Sequence, residues 1–354
     1  MWDPAAAVKS RTVHWTEYAE PLPLPPTSEY SNLEALDTIH SYPNLFQITT
    51  PININHFESL LSSHPNQPFV KSVYQGLQEG FWPFANIHYG EWPLTWNNSQ
   101  HIPKTAGKAT FLQEQADKEV ELGCFSEPFG PDLLPGMYSM SIHAISKPGT
   151  SKFCLVTDHS AGQFALNNMI SHKDIAGVTL NNVQALGNAL CYLWAQHPHI
   201  DLILWKADVS EAYRCIPMHP LWQIKQVITI HSKCYVDQCN VFGGHASQHI
   251  WHSFMSLVIW IAVMKYLIQL LYIYVDDSFS TQKRGEMLFS KHYRKLLPSY
   301  LTRLLQHWNF IGLPHEEKKQ VFGDELPIIG FEVNPNLMRV CMSDESKLQL
   351  ITAV

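Results

Sequence analysis

The run Leu271-Tyr272-Ile273-Tyr274-Val275-Asp276-Asp277 brings an apolar, aromatic and β-branched segment to an end on two adjacent carboxylates. Such a segment suits a buried strand, and placing two charges at its end is costly unless something compensates for them. A hard divalent cation such as Mg2+ does so, because it takes carboxylate oxygens and leaves positions for phosphate. A second segment of the same texture, Leu202-Ile203-Leu204-Trp205-Lys206-Ala207-Asp208, also ends on an acid. Two hydrophobic strands that each deliver carboxylates point to a two-metal phosphoryl-transfer site.

The 354 residues are 45% hydrophobic and 16% charged, which supports an extensive core in two domains or one composite one. A net charge of −7 speaks at first against nucleic acid. The charge is uneven, however: residues 1–146 carry −9 and residues 147–354 carry +2. A local basic track is therefore permitted in the part that holds the acids. The 7 cysteines are scattered, odd in number and without a C-x-x-C pair, which favours reduced, packed thiols over a disulfide framework or a zinc site. Met1-Trp2-Asp3-Pro4 lacks a signal pattern, so an intracellular protein of cytoplasm or nucleus, not a secreted one, is expected. Ser256 to Tyr274 imitates a membrane span, but Lys265 and Gln269 interrupt it. A buried helix running into a buried strand explains the same hydrophobicity, and no membrane partner is expected.

Along the chain, residues 1–50 are rich in proline and aromatics, as in Pro21-Leu22-Pro23-Leu24-Pro25-Pro26, and read as an extended arm. Residues 51–137 read as a helical and loop extension with helices over 56–62, 69–79 and 110–122. From Tyr138 the texture changes to short strands: 139–146 and 152–157 flank Pro148-Gly149, and a helix over 181–196 follows. Strands over 226–231 and 234–238 make another hairpin, and a long apolar helix opens near Ser247. The pattern from Met287 to Phe310 predicts an amphipathic helix closed by Gly312 and Pro314, and Ile328 to Val333 a last strand. Tyr235-Val236-Asp237 repeats the Y-V-D wording, but Gln238 stands where a second acid belongs, so it reads as a plain hairpin strand.

The order of these elements resembles the palm of reverse transcriptases over roughly residues 139–335. Lys206-Ala207-Asp208-Val209-Ser210-Glu211-Ala212-Tyr213-Arg214 resembles the first palm motif, Phe242-Gly243-Gly244-His245-Ala246-Ser247 the second, and Tyr274-Val275-Asp276-Asp277 the third. Gly312-Leu313-Pro314-His315-Glu316-Glu317-Lys318-Lys319 resembles the fourth, and Ile329-Gly330-Phe331-Glu332 the hairpin that grips the primer. The wording is similar to retrotransposon polymerases of fungal DIRS type. The resemblance implies an α+β fold: a palm, with an antiparallel sheet and helices on one face, plus fingers. Residues 138–207 would be fingers and first palm strand, 208–335 the palm with its acids, and 336–354 the truncated start of a thumb.

The resemblance further implies two Mg2+ or Mn2+ ions held by Asp208, Asp276 and Asp277, a primed RNA or DNA template, and deoxynucleotides as substrates. Asp208 and Asp276 would bridge the ions, with Asp277 auxiliary, because neighbours along a strand face opposite ways. Tyr213, five residues after Asp208, would exclude a ribose 2′-hydroxyl; packing inside the palm is the other reading. Val209, Gly243 and Gly244 would border the nucleotide, the glycines by allowing close backbone approach or simply by turning into the helix. Lys147 and Lys152 would meet the triphosphate. Lys318 or Lys319 would protonate the leaving group. Gly330 and Phe331 would grip the primer.

Two departures temper activity. Cys154 stands where the family often has arginine, and a thiol lacks the bidentate fork. Little chain remains for a thumb, so a partner chain or a further C-terminal segment would have to supply it and a ribonuclease H. A catalytically inactive nucleic-acid-binding descendant and an RNA-dependent RNA polymerase are the alternatives.

Overall fold

The computed structural model describes residues 10–86, 92–99, 105–146, 152–178, 180–343, 347–348 and 350–351. Its first half is mostly helical: α1 (Arg11–Thr16), α2 (Leu33–Ser41), α3 (Ile54–Leu61), α4 (Gln67–Glu79), the short β1 (Trp96–Asn97) and α5 (Ala106–Glu121). Strands then alternate with helices: β2 (Tyr138–Ser146), β3 (Phe153–Asp158), α6 (Val183–Gln196), β4 (Leu202–Asp208), α7 (Pro220–Gln223), β5 (Val227–Ile230), β6 (Lys233–Val236) and α8 (Ser247–Met264). The last part holds β7 (Tyr272–Tyr274), β8 (Asp277–Lys283), β9 (Met287–Ser290), β10 (Lys295–Pro298), α9 (Ser299–Ile311), β11 (Val321–Gly323), β12 (Leu326–Ile328), β13 (Phe331–Asn334) and β14 (Arg339–Met342).

Local chemistry sets the helix starts. Asn32, Asn53, Asn66, Thr105 and Asn182 each accept a backbone N–H of the first turn through the side chain, at the heads of α2 to α6. Gly312 closes α9 at φ 77°, and a Cβ there would meet the Pro51 carbonyl oxygen at 2.3 Å. The apolar segment after Ser247 is α8, buried on all sides from Ile250 to Ala262. A helix apolar around its whole circumference belongs inside a core. Among the described residues, no helix is long and apolar enough to cross a membrane.

The palm sheet has the order β11-β4-β8-β7, antiparallel throughout. Alternation along β4 divides its faces. Trp205 and Ala207 join the core of α8 and α9, whereas Leu202 and Leu204 pack with Leu186 and Leu190 of α6. A second sheet, β1-β2-β5-β6, shares β2 with its hairpin partner β3. Residues 139–140 of β2 pair with β5 and residues 141–146 pair with β3.

Two expectations change. Residues 287–310 are not one helix but the hairpin β9–β10 followed by α9. Pro298 is the cause: it disfavours helical backbone at Leu297, lacks an N–H, and takes the N-cap of α9 with ψ 137°. Residues 328–333 are not one strand but the turn of a hairpin, β12–β13, with Ile329 and Gly330 at φ 49° and 77°. β14, in the stretch expected to open a thumb, pairs with β13 as the third strand of that sheet. The described part of the arm is docked. Thr12 Oγ1 donates to Asn181 Oδ1 at 2.8 Å, and Ala19 and Leu22 are buried in the main core.

Candidate active site

Register brings the acids together. Asp208, last residue of β4, lies directly opposite Asp277, first residue of β8, so their side chains leave the same face of the sheet. Asp276 occupies the turn between β7 and β8. That turn is shaped by Val275 at φ 57° and anchored by Trp251 Nε1, which donates to the Val275 carbonyl at 2.8 Å. The direct neighbour of Asp208 across the sheet is thus Asp277, which had been expected to be the auxiliary acid.

The electrostatics follow from burial and like charge. Burial raises the Asp276 pKa above the ordinary carboxylate value, and Asp208 and then Asp277 raise it further, against its own backbone hydrogen bond and Lys319. Two lysines offset the charge. Lys319 Nζ donates to Asp208 Oδ1 at 2.8 Å, and Lys206 Nζ donates to Asp277 Oδ2 at 3.0 Å. Burial alone would lower the Lys319 pKa, but its bond to Asp208 and the charges of Asp208, Glu316 and Asp276 outweigh that and raise it. Among the described residues, no three His, Cys, Asp or Glu side chains form a ready-made metal-holding group. The donor set nonetheless suits a hard cation, since it is all carboxylate and carries surplus negative charge now met by ammonium groups.

A cleft of about 480 Å³ opens beside the acids, bordered by Asp276, Lys319, Val209, Cys154 and, from α5, Lys118. Tyr213 packs its ring 4.8 Å from Phe242 and 6.3 Å from Trp251, and its hydroxyl is pushed up to about 12 by burial and then by Asp276. Val209 is buried and bridges His315 through the backbone, which ties the first motif to the fourth. A Cβ on Gly243 would lie 1.8 Å from the Thr157 carbonyl oxygen, so this glycine is required by packing against the end of β3. At Gly244 the nearest atom is the mobile Ser247 Oγ, at 2.6 Å.

Other expected residues lie elsewhere. Lys147 is outside the described residues. Lys152 precedes β3 but is not among the described residues that line the cleft, whereas Phe153, Cys154 and Leu155 are. Lys318 points away to Glu316 at 2.5 Å, with its side chain 78% exposed; the lysine on the acids is Lys319. Gly330 sits in the β12–β13 turn, with no atom of the described residues within 4 Å of an added Cβ, and Phe331 packs against the core of α6. Lys206, Lys118 and the buried Glu119–Arg214–Asp237 cluster were not anticipated. Lys206 could have been found, since it lies two residues before Asp208 and so on the same face of the strand.

No protein-family model matches the chain, and no curated protein matches it either. Among solved structures it is similar to a foamy viral protease-reverse transcriptase in complex with double-stranded DNA, with a TM-score of 0.52 and 14% identity. The match covers 86% of this chain and 50% of that one, so the chain spans half the length of that protein. Likeness at this identity is a likeness of fold. The chain has an α+β fold of the reverse-transcriptase polymerase type.

Proposed function

We propose that the chain is the fingers-and-palm part of an RNA-directed DNA polymerase of retrotransposon origin, resembling the DIRS type, which extends a primer 3′-hydroxyl with deoxynucleotides. The observation that carries this reading is Asp208 directly opposite Asp277, with Asp276 in the adjoining turn at a nucleotide-sized cleft. Asp208, Asp276 and Asp277 would hold two Mg2+ or Mn2+ ions. When bound, such ions lower the pKa of an attacking hydroxyl and offset charge on the attacking and leaving oxygens.

The chain's own residues supply the rest. Lys319 and Lys206 neutralise Asp208 and Asp277, and would yield those oxygens to bound cations. Lys319, which borders the cleft, would serve as proton donor to the leaving group. The Tyr213 ring, packed against Phe242 at the cleft wall and near Trp251, would restrict space beside the sugar and favour deoxynucleotides. A primed template would be held largely through its phosphates, with binding that weakens as salt rises.

Primer extension by the purified chain on a primed RNA template with Mg2+ tests the reading, with a thumb-bearing segment supplied in trans if needed. Asp208→Asn and Asp276→Asn should each reduce extension roughly 100-fold or more, the scale of losing one charge-stabilising group. Template binding should survive. A folded wild-type protein that binds primed template but extends nothing would instead establish the inactive descendant, a reading favoured by Cys154 at the cleft wall. Extension with ribonucleotides as readily as with deoxynucleotides, unaltered by Tyr213→Ala, would identify an RNA polymerase.

A further inference from the structure

The cleft has a wall that no palm motif provides. Phe111, Gln115 and Lys118 recur along one side of α5 and face the space bordered by Asp276 and Lys319. Three cationic side chains line this cleft among the described residues: Lys118, Arg214 and Lys319. Arg214 is buried and committed, with Nη1 on both Asp237 oxygens at 2.9 and 3.1 Å and Nε on Glu119 at 2.9 Å. Lys319 is engaged by Asp208. Lys118 differs from both. Its side chain is 51% exposed, and it is bonded to Glu211, whose side chain is 40% exposed and also borders the cleft.

An ammonium group has three N–H donors, and one carboxylate bond leaves others for a second anion. Glu211 lies three residues after Asp208, and its bond holds Lys118 at the cleft that Asp276 also borders. β3, which packs against α5, offers Cys154 to the same cleft, and a thiol is not a cation.

Resting on the polymerase reading above, we propose that Lys118 of α5 is the cation that receives the triphosphate tail of the incoming nucleotide, with Glu211 as its positioning carboxylate. The helical extension before the palm is then a substrate-binding part of the enzyme. The anion is a nucleoside triphosphate rather than the nucleic-acid backbone, because Lys118 shares one cleft with Asp276 and Lys319, where pyrophosphate would leave.

Two measurements on the full chain test this: steady-state extension, and titration with inorganic tripolyphosphate as the probe. Lys118→Met should raise the KM for deoxynucleotide about 10-fold, the scale of one charge-assisted hydrogen bond, while kcat stays within about threefold. Tripolyphosphate affinity should fall in parallel. Lys118→Arg should restore both. Because the Lys118–Glu211 pair is half exposed, its loss leaves the melting temperature nearly unchanged. A merely structural role for Lys118 would lower melting temperature and kcat instead.

Unchanged KM and unchanged tripolyphosphate affinity in Lys118→Met, with an active wild type, would overturn the assignment and leave the polymerase reading standing. Absence of tripolyphosphate binding to wild type would overturn it as well. An inactive wild type whose tripolyphosphate binding still requires Lys118 would keep the phosphate site and remove the polymerase.

Discussion

Asp237 and Glu119 share one guanidinium. Both carboxylates are buried against Arg214, with side chains 1% and 7% exposed, so two potential anions compete for a single cation in a dry site. Burial pushes the Asp237 pKa up to about 7; Arg214 opposes that, and Glu119 adds to it. The folded pKa is therefore above the unfolded one, and the folded protein holds the proton more tightly. The associated stability is fully present below about pH 4 and is lost as pH rises through about 7. Wild type should lose on the order of a few kcal/mol between pH 5 and 8 by denaturant titration, and Asp237→Asn should flatten that slope. A variant with the same pH dependence as wild type would assign the slope to other groups. Sequence reading set Tyr235-Val236-Asp237 aside as a hairpin strand, which it is. The role of its acid was not legible, because Arg214 lies 23 positions before it and Glu119 lies 95 positions before Arg214. The strand-end acids Asp208, Asp276 and Asp277 were legible for the opposite reason: a charge that terminates an apolar run is a local contradiction. The lysines that answer them were partly hidden, since Lys319 is 111 positions from Asp208.

The hairpin β9–β10 acts at the scale of elements. Its turn residue Tyr293 shares a hydrogen bond of 2.5 Å with His315 Nδ1, and Lys295 of β10 is paired with Glu317 at 2.7 Å. Both partners belong to the loop that carries Lys319 to Asp208. The same loop meets the end of β4 through Ser210 N–H donating to the Pro314 carbonyl and Gln320 Nε2 donating to the Asp208 carbonyl. Burial, and then the nearby His292, lowers the His315 pKa to about 4, so the ring is neutral at physiological pH and suited to this bond. Tyr293→Phe should cost about 1 kcal/mol of stability, as for one lost hydrogen bond. It should also reduce extension by loosening Lys319 while leaving template affinity intact. Full extension by a Tyr293→Phe protein of lowered stability would confine the hairpin to folding. The helix expected over 287–310 failed because apolar residues at 288, 289, 293, 296 and 297 fit helical spacing, while the short apolar runs 287–289 and 296–297 fit short strands as well. Pro298 was the available signal, and it separates β10 from α9. Elsewhere the local signals held: the helix expected over 181–196 is α6, and the strands expected over 139–146 and 152–157 are the paired β2 and β3, while Pro148-Gly149 lies outside the described residues.

For the whole molecule, the arm and the palm share one core. α8 is apolar on every side, so the palm sheet can cover only part of it. α1, α3, α4 and α9 cover the remainder, and residues from all of them join the same buried cluster or pack against it. Composition made the arm look like a linker, since proline-rich, aromatic sequence looks alike whether it is loose or docked. The docking surface is what sequence alone could not supply, because it is assembled from α4 and α8 only after folding. Trp15 is the contact that decides between the two: its ring lies 5.4 Å from Phe69 of α4 and 5.0 Å from His252 of α8. A loose arm would leave stability indifferent to this residue, whereas a docked one makes it part of the core. Trp15→Ala should therefore destabilise the chain by about 2–3 kcal/mol, somewhat below a fully buried tryptophan because Trp15 is only partly buried. Chemical denaturation of the variant, with limited proteolysis to locate the first cleavage, measures it. Cleavage should move into residues 10–26, with α8 remaining protected until global unfolding. A variant with unchanged midpoint would make the arm dispensable, and α8 would then need another cover for its α1 side.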